Sequence, residues 1–267
     1  MVSLVNDAKG IGAFMLACNE MEMQQTQAVG KNKKVLLDRW FNGEKRKDAT
    51  GESMYWHYVW EERSHPGFYT LGHVFEKNGA KTASLDVAPT AANLKGASVY
   101  IIVDADHIRD NPNPNYVTEN DATVIANWVK AGGTLLIMAN DSNNCDLQHQ
   151  NILAAKFGVK FTDKSLNMVK NDQYEQGLVL PGANNPVFKT PAKMYLKELS
   201  ALEIKSPAVA NAVKDGDVII ATAKYGKGKV LIVGDPWLYN EYVDGRKLPA
   251  EWENYKAAND LVQWLLK

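Results

Sequence analysis

From residue 34 the chain alternates two kinds of apolar pattern. "KVLLD" (34–38) is a short apolar run that reads as a buried strand, "SVYIIVDAD" (98–106) is a strongly β-branched one, and "TASLDV" (82–87) and "TLLIMAN" (134–140) read as further strands. Stretches with helical spacing lie between them. "PGFYTLGHVFEKNGA" opens on Pro66 and closes at Gly79, and "TAANLKGA" offers Thr90 as a cap. "TENDATVIANWVKAGG" (118–133) carries a capping pair in Thr118 and Asp121 and a glycine stop, and "LQHQNILAAKFGV" (147–159) follows as a further helix. This alternation predicts an α/β fold: a doubly wound, mostly parallel sheet with helices on both faces.

After residue 160 the pattern changes. Segments near 194–204, 217–224 and 229–234 read as strands, the last two as a hairpin turning at "YGKGK" (225–229). A closing helix over 251–267 places Trp252, Tyr255, Ala258, Leu261, Val262 and Leu265 on one face. One domain over 31–267, with a β-rich insertion before its last strand, is expected.

The first segment is a separate question. In "KGIGAFMLACNEMEM" (9–23), Ile11, Phe14, Met15, Cys18 and Met21 recur at helical spacing, so the segment reads as a short amphipathic helix whose stripe must pack on something. Leu16-Ala17-Cys18 also raises a lipoprotein signal. The acidic Asp7 in the leader, the short apolar run and the lack of a polar linker after Cys18 argue against it. "QQTQAVGKNKK" (24–34) reads as a linker, with a boundary near residue 30.

Composition narrows the function classes. The chain has 267 residues, 45% hydrophobic, and a net charge of −1. That gives no electrostatic case for nucleic acid or a membrane surface. No apolar run approaches the roughly 20 residues that span a bilayer. Two cysteines, Cys18 and Cys145, make neither a disulfide framework nor a zinc cluster. Cys145 also lacks the glycine-flanked strand-to-helix turn of a nucleophile elbow.

Ligands of open α/β sheets bind beyond the carboxyl ends of the strands. The residues placed there are polar and aromatic: Asp38 and Trp40, then Asp104 with Asp106 and His107, then Asn140, Asp141 and Ser142, then Asp235, Trp237 and Glu241. The loop "ESMYWHYVWEERSH" adds His57 and Glu61. Rings among carboxylates and amides suit a sugar. Each residue also has a plainer role as a turn or cap residue. The carboxylates could hold a calcium or magnesium ion, but no EF-hand spacing is present, and no metal ligand or cofactor is assigned.

"NDAKGIGAFMLACNEMEM" resembles the last barrel helix of family 105 glycoside hydrolases, the unsaturated rhamnogalacturonyl hydrolases, close to family 88. "KVLLDRWFNGE", "GHVFEKNGAKT", "NWVKAGGTLLIMANDS" and the stretch from "GDPWLYNEY" to the end resemble the domain after that barrel in Bacteroidetes members. That domain is similar to flavodoxin-like, class I glutamine amidotransferase-like proteins. The resemblance implies an accessory, non-catalytic domain of a pectin-degrading hydrolase. Its partners would be an acidic pectin-derived oligosaccharide and either the hydrolase barrel or a second copy through the first helix. Its location would be periplasmic if the parent enzyme is exported. The family's catalytic aspartate belongs to the barrel, and no amidotransferase Cys-His-Glu triad is matched. The alternative is an independent hydrolase acting on a glycan through a carboxylate-lined cleft.

Overall fold

The computed structural model describes residues 8–267. Five strands run parallel: β1 (Lys34–Asp38), β4 (Lys81–Leu85), β5 (Val99–Val103), β6 (Thr134–Met138) and β13 (Gly228–Val233), side by side in the order β4-β1-β5-β6-β13. Alternate residues of these strands serve two cores, because side chains on a strand point to opposite faces. Val35, Leu37, Ile101, Met138 and Val233 pack with α2 (Tyr69–Lys77) and α6 (Asn254–Leu266). Leu36, Tyr100, Ile102, Ile137 and Ile232 pack with α3 (Glu119–Lys130) and α4 (Leu147–Ala154). Helices therefore cover both faces of a mixed α/β sheet. Thr118 and Asp121 form the expected reciprocal capping box at the start of α3.

The β-rich insertion extends the same sheet. β12 (Asp217–Tyr225) pairs antiparallel with β13 through the predicted glycine-bearing turn. β10 (Leu199–Ile204) and β7 (Val159–Leu166) continue outward, while β11 (Ala208–Lys214) also pairs with β12, giving nine strands in all. A short pair, β8 (Leu178–Val179) and β9 (Met194–Tyr195), lies outside this sheet.

Four local expectations change. The first helix, α1 (Ala8–Gly30), runs through most of the segment read as a linker. The stretch after Thr90 is a single turn, with Leu94 N–H donating to the Thr90 carbonyl, and not a helix. β7 and β11 are strands that the sequence reading does not include: β7 is interrupted by Lys160, Asp163 and Lys164, and the alanine-rich β11 exposes Val209 and Val213 rather than polar residues. The loop before α2 contains a hairpin, β2 (Lys45–Lys47) with β3 (Ser53–Tyr55).

The stripe of α1 is not packed as expected. Ile11, Phe14, Met15 and Met21 are exposed, as is Cys18. The helix instead meets α2 through polar pairs: Asn19 Oδ1 lies 3.2 Å from His73 Nε2, and Glu22 lies 2.6 Å from Lys77 Nζ. Val29 packs against the core, and the Gly30 N–H donates to the Asn78 carbonyl at 2.8 Å. Among the described residues, no helix is long and apolar enough to cross a membrane.

Candidate functional site

The parallel strands present a carboxylate at or just after their carboxyl ends. Asp38 ends β1, is 1% exposed, and accepts from the N–H groups of Trp40 and Phe41 at 3.1 and 2.7 Å and from the Tyr100 hydroxyl. Burial pushes it up to about 7. Asp104 follows β5. It is buried, its Oδ1 has no protein partner, and burial, followed by the charge of Glu44, raises it well above the ordinary carboxylate range. Asp106 accepts from Gly43 N–H at 2.9 Å and Asn111 Nδ2 at 2.5 Å, leaving Oδ1 without a partner. Burial lifts it to about 6 against those two hydrogen bonds, and Glu44 and Asp110 add to the rise. After β13, Asp235 accepts from Lys197 N–H at 2.7 Å, and burial raises it strongly.

Residues 39–68, which include the β2–β3 hairpin, form a strap between β1 and α2. Asn42 fastens its beginning by donating to the carbonyls of Val103 and Asp104, both at 3.2 Å. Glu44 accepts from Trp56 Nε1 at 3.0 Å and lies 3.4 Å from His57 Nδ1. Asn240, in the short helix α5 (Asn240–Val243), secures the far end by donating to the carbonyls of Glu62 and Ser64 at 2.8 Å. The backbone here is unusual. His57, Tyr58 and Asp104 adopt φ of 62°, 48° and 45°, a region disfavoured for residues with a side chain. Trp56 stacks on His57 and Tyr58 stacks on Tyr239, His57 meets Tyr58 at a tilt, and the Tyr58 and Tyr239 hydroxyls meet at 3.3 Å. Burial raises Tyr58 and Tyr239 well above the ordinary phenol range, and Asp104 and Asp235 add to the rise of both.

The strap leaves a crevice of about 400 Å³ beyond the ends of β4, β1 and β5. Arg39, Trp40, Glu44, Lys45, Tyr55 and Asp110 are among its lining residues. Gly43 and Asn111, the two donors to Asp106, also line it, so the Asp106 carboxylate lies directly beneath its floor. Arg39 is held by both oxygens of Asp86, at 2.7 and 3.1 Å, by Glu61 at 3.5 Å, and over the Tyr55 ring at 4.5 Å.

The residues anticipated from the sequence do not converge on one pocket. Trp40 lines the crevice; Asp38 and Asp104 are buried under the strap, His57 belongs to the strap itself, and Glu61 reaches Arg39. Asn140 and Asp141 build a turn: Asn140 Oδ1 accepts from Asp141 N–H, and Asp141 Oδ1 accepts from Asn143 N–H and Asn144 Nδ2. Ser142 lies in the same turn. Trp237 is a core residue against Phe188, with rings 6.0 Å apart. Glu241 pairs with His65 at 2.8 Å. Cys145 is buried and donates to Gln150, and burial raises its thiol well above its usual range. Glu44, Lys45, Tyr55, Asp86, Asp110 and Asn111 are among the site residues that sequence reading missed. The turn-forming "DATG" at 48–51, between "KRK" and "SMY", was the available signal for the hairpin that carries Tyr55. Among the described residues, no cluster of three or more His, Cys, Asp or Glu is arranged to hold a metal ion.

The profile of a domain of unknown function, DUF4350, matches residues 61–244. The chain belongs to the DUF4350 family. The match covers the end of the strap, the parallel strands after β1 and the β-rich insertion. Two solved structures share this DUF4350 chain's fold. The mmIFT52 N-terminal domain has a TM-score of 0.62 at 17% identity, over 87% of this chain and 97% of that one. The cytoplasmic protein STM1381 from Salmonella typhimurium LT2 has a TM-score of 0.57 at 17% identity, over 88% and 99%. No curated protein matches the chain in sequence. The resemblance to the C-terminal region of family 105 hydrolases is thereby overturned, and the carbohydrate-degradation role goes with it. The short phrases that suggested it are strand, cap and turn patterns, which unrelated α/β domains also need.

Proposed function

We propose that this chain is a non-catalytic binding domain that takes a small polar ligand in the crevice beyond β4, β1 and β5. The parallel strands run in the flavodoxin-like order, second-first-third-fourth-fifth. The crevice lies where that order reverses, the place where such sheets bind ligands. The observation that carries the reading is the coincidence of two features in and under the strap that walls this crevice, among residues that do not themselves line it. One is backbone strain at His57, Tyr58 and Asp104. The other is a set of buried polar atoms without protein partners: Asn42 Oδ1, Asp104 Oδ1 and Asp106 Oδ1. Strain and unpaired polar groups both cost stability and are kept where they serve a site.

A binding role is favoured over hydrolysis by the state of the carboxylates. Asp38, Asp104, Asp106 and Asp235 are buried, and each of Asp38, Asp106 and Asp235 accepts backbone hydrogen bonds. Acid and base catalysts of glycoside hydrolysis instead face each other across an open cleft. The acidic oligosaccharide partner rested on the family 105 resemblance and is not carried forward.

A thermal-shift screen of the full chain with small polar compounds, followed by NMR mapping of hits, tests this reading. Shifts should centre on Trp40, Tyr55, Asn111 and Asn113. Hits that map only to helical faces would refute it.

A further inference from the structure

The crevice's charges are unevenly committed. Arg39 is taken up by Asp86 and Glu61. Lys45 Nζ sits over the Tyr55 ring at 4.7 Å. Glu44 accepts from Trp56 Nε1 and lies 3.4 Å from His57 Nδ1 without a hydrogen bond to it, and this acid stands at the crevice wall together with Asp110. Asp106, 3% exposed and with one oxygen lacking a partner, lies beneath the floor between them. These groups repel one another: Glu44 raises Asp104, Asp106 and Asp110 alike.

We infer that the crevice takes an organic cation, with a primary ammonium or amidinium group seated against Glu44 and Asp110 above Asp106. This rests on the crevice being the binding site and adds the ligand's chemical class. A cation relieves the repulsion among the acids, and its N–H groups supply donors where acceptors are in excess. A compact metal ion is not the fit, since no ligand cluster for one exists among the described residues. The indole of Trp40 suits the adjoining alkyl part, while the Tyr55 ring is already covered by Arg39 at 4.5 Å and Lys45 at 4.7 Å.

Such binding is linked to protons. Asp106 titrates at about 6, and a cation favours its charged form, so affinity should fall as the pH drops from 7 to 5. The other charged groups around Asp110 are His107, His57 and Arg109, with Asp104 beyond Glu44.

Putrescine, 1,4-butanediol and succinate have similar length and opposite or no charge. Each is titrated into the full chain and followed by NMR. Putrescine should perturb Trp40, Tyr55 and Asn111, while the diol and the dianion should not. Its affinity should weaken about tenfold in Asp110→Asn, in Glu44→Gln and at pH 5. Asp110→Asn keeps the test valid if Glu44→Gln loosens the strap. Diol or succinate binding at these residues without putrescine overturns the cation and leaves the site standing. Putrescine binding that is unchanged in both variants also overturns the cation. No perturbation of these residues by any of the three, with hits from the wider screen elsewhere, overturns the site itself.

Discussion

The Tyr100 hydroxyl donates to the Asp38 carboxylate at a point where neither side chain reaches solvent. Burial raises Asp38 from an ordinary 3.8 to about 7. Between those values the folded chain keeps a proton that the unfolded chain has lost. The associated stability is therefore complete below about pH 4 and is lost as the pH rises through about 7. Asp38→Asn should remove this slope. Urea unfolding at pH 5 and pH 8 should show a drop in stability for the natural chain that is smaller by about 2–3 kcal/mol in the variant. Equal drops would mean that Asp38 is ionised throughout. Tyr100→Phe should cost about 1–3 kcal/mol, and more at pH 8, where it strands a charged oxygen.

Asn240 is the far anchor of the strap. Its amide donates to the carbonyls of Glu62 and Ser64, and its Oδ1 accepts from Thr70 N–H at 2.8 Å. Asn240→Ala strands three backbone groups, one of them at the start of α2. The expected cost is about 2–4 kcal/mol. Hydrogen exchange should speed up at residues 62–70 and leave β5 and β6 unchanged. Uniform acceleration across the sheet would show that the anchor supports the whole fold.

The box at the start of α3 offers a local test. Thr118 Oγ1 accepts from Asp121 N–H at 3.2 Å, and the Asp121 carboxylate accepts from Thr118 N–H at 3.0 Å. Thr118→Ala should destabilise the chain by about 1 kcal/mol, read from the urea midpoint at unchanged slope. A cost near zero would mean that packing of Ile125 and Val129 alone fixes the helix.

The parallel half of the sheet was legible because its inner strands are buried on both faces and so read as unbroken apolar runs, as in "VYIIV" and "TLLIM", while the half-exposed edge strand β4, "KTASL", carries a weaker signal. The hairpin at 45–55 was not, because Lys45, Arg46 and Lys47 are all exposed and no apolar alternation marks them. In α1 the spacing correctly gave a helix and misled about packing. Phe14 is 71% exposed, and the docked side of the helix is marked by Asn19 and Glu22 instead. At the site, Asp104 was legible as a residue after a strand. Its positive φ, and the closing of the strap over it through Asn42 and Gly43, depend on contacts across some 60 positions that no local pattern records.

Two glycines in the strap separate the requirements of the site from those of the fold. A Cβ on Gly67 would come within 1.9 Å of the Glu62 carbonyl oxygen, a clash with backbone that only a shift of the strap relieves. A Cβ on Gly43 would meet Arg39 O at 3.6 Å and Asp106 Oδ2 at 3.7 Å, which is ordinary contact. Gly67→Ala should therefore destabilise the chain by about 2 kcal/mol or more. Gly43→Ala should stay within about 0.5 kcal/mol of the natural chain while adding a methyl group to the crevice floor. Thermal unfolding of the two variants, with putrescine titration of Gly43→Ala, checks both points. A stable Gly43→Ala chain with weakened binding places the ligand on that floor. Unchanged binding would move it toward Tyr55 and Lys45, and unfolding of Gly43→Ala would show that the turn over Asp106 belongs to the fold before it belongs to the site.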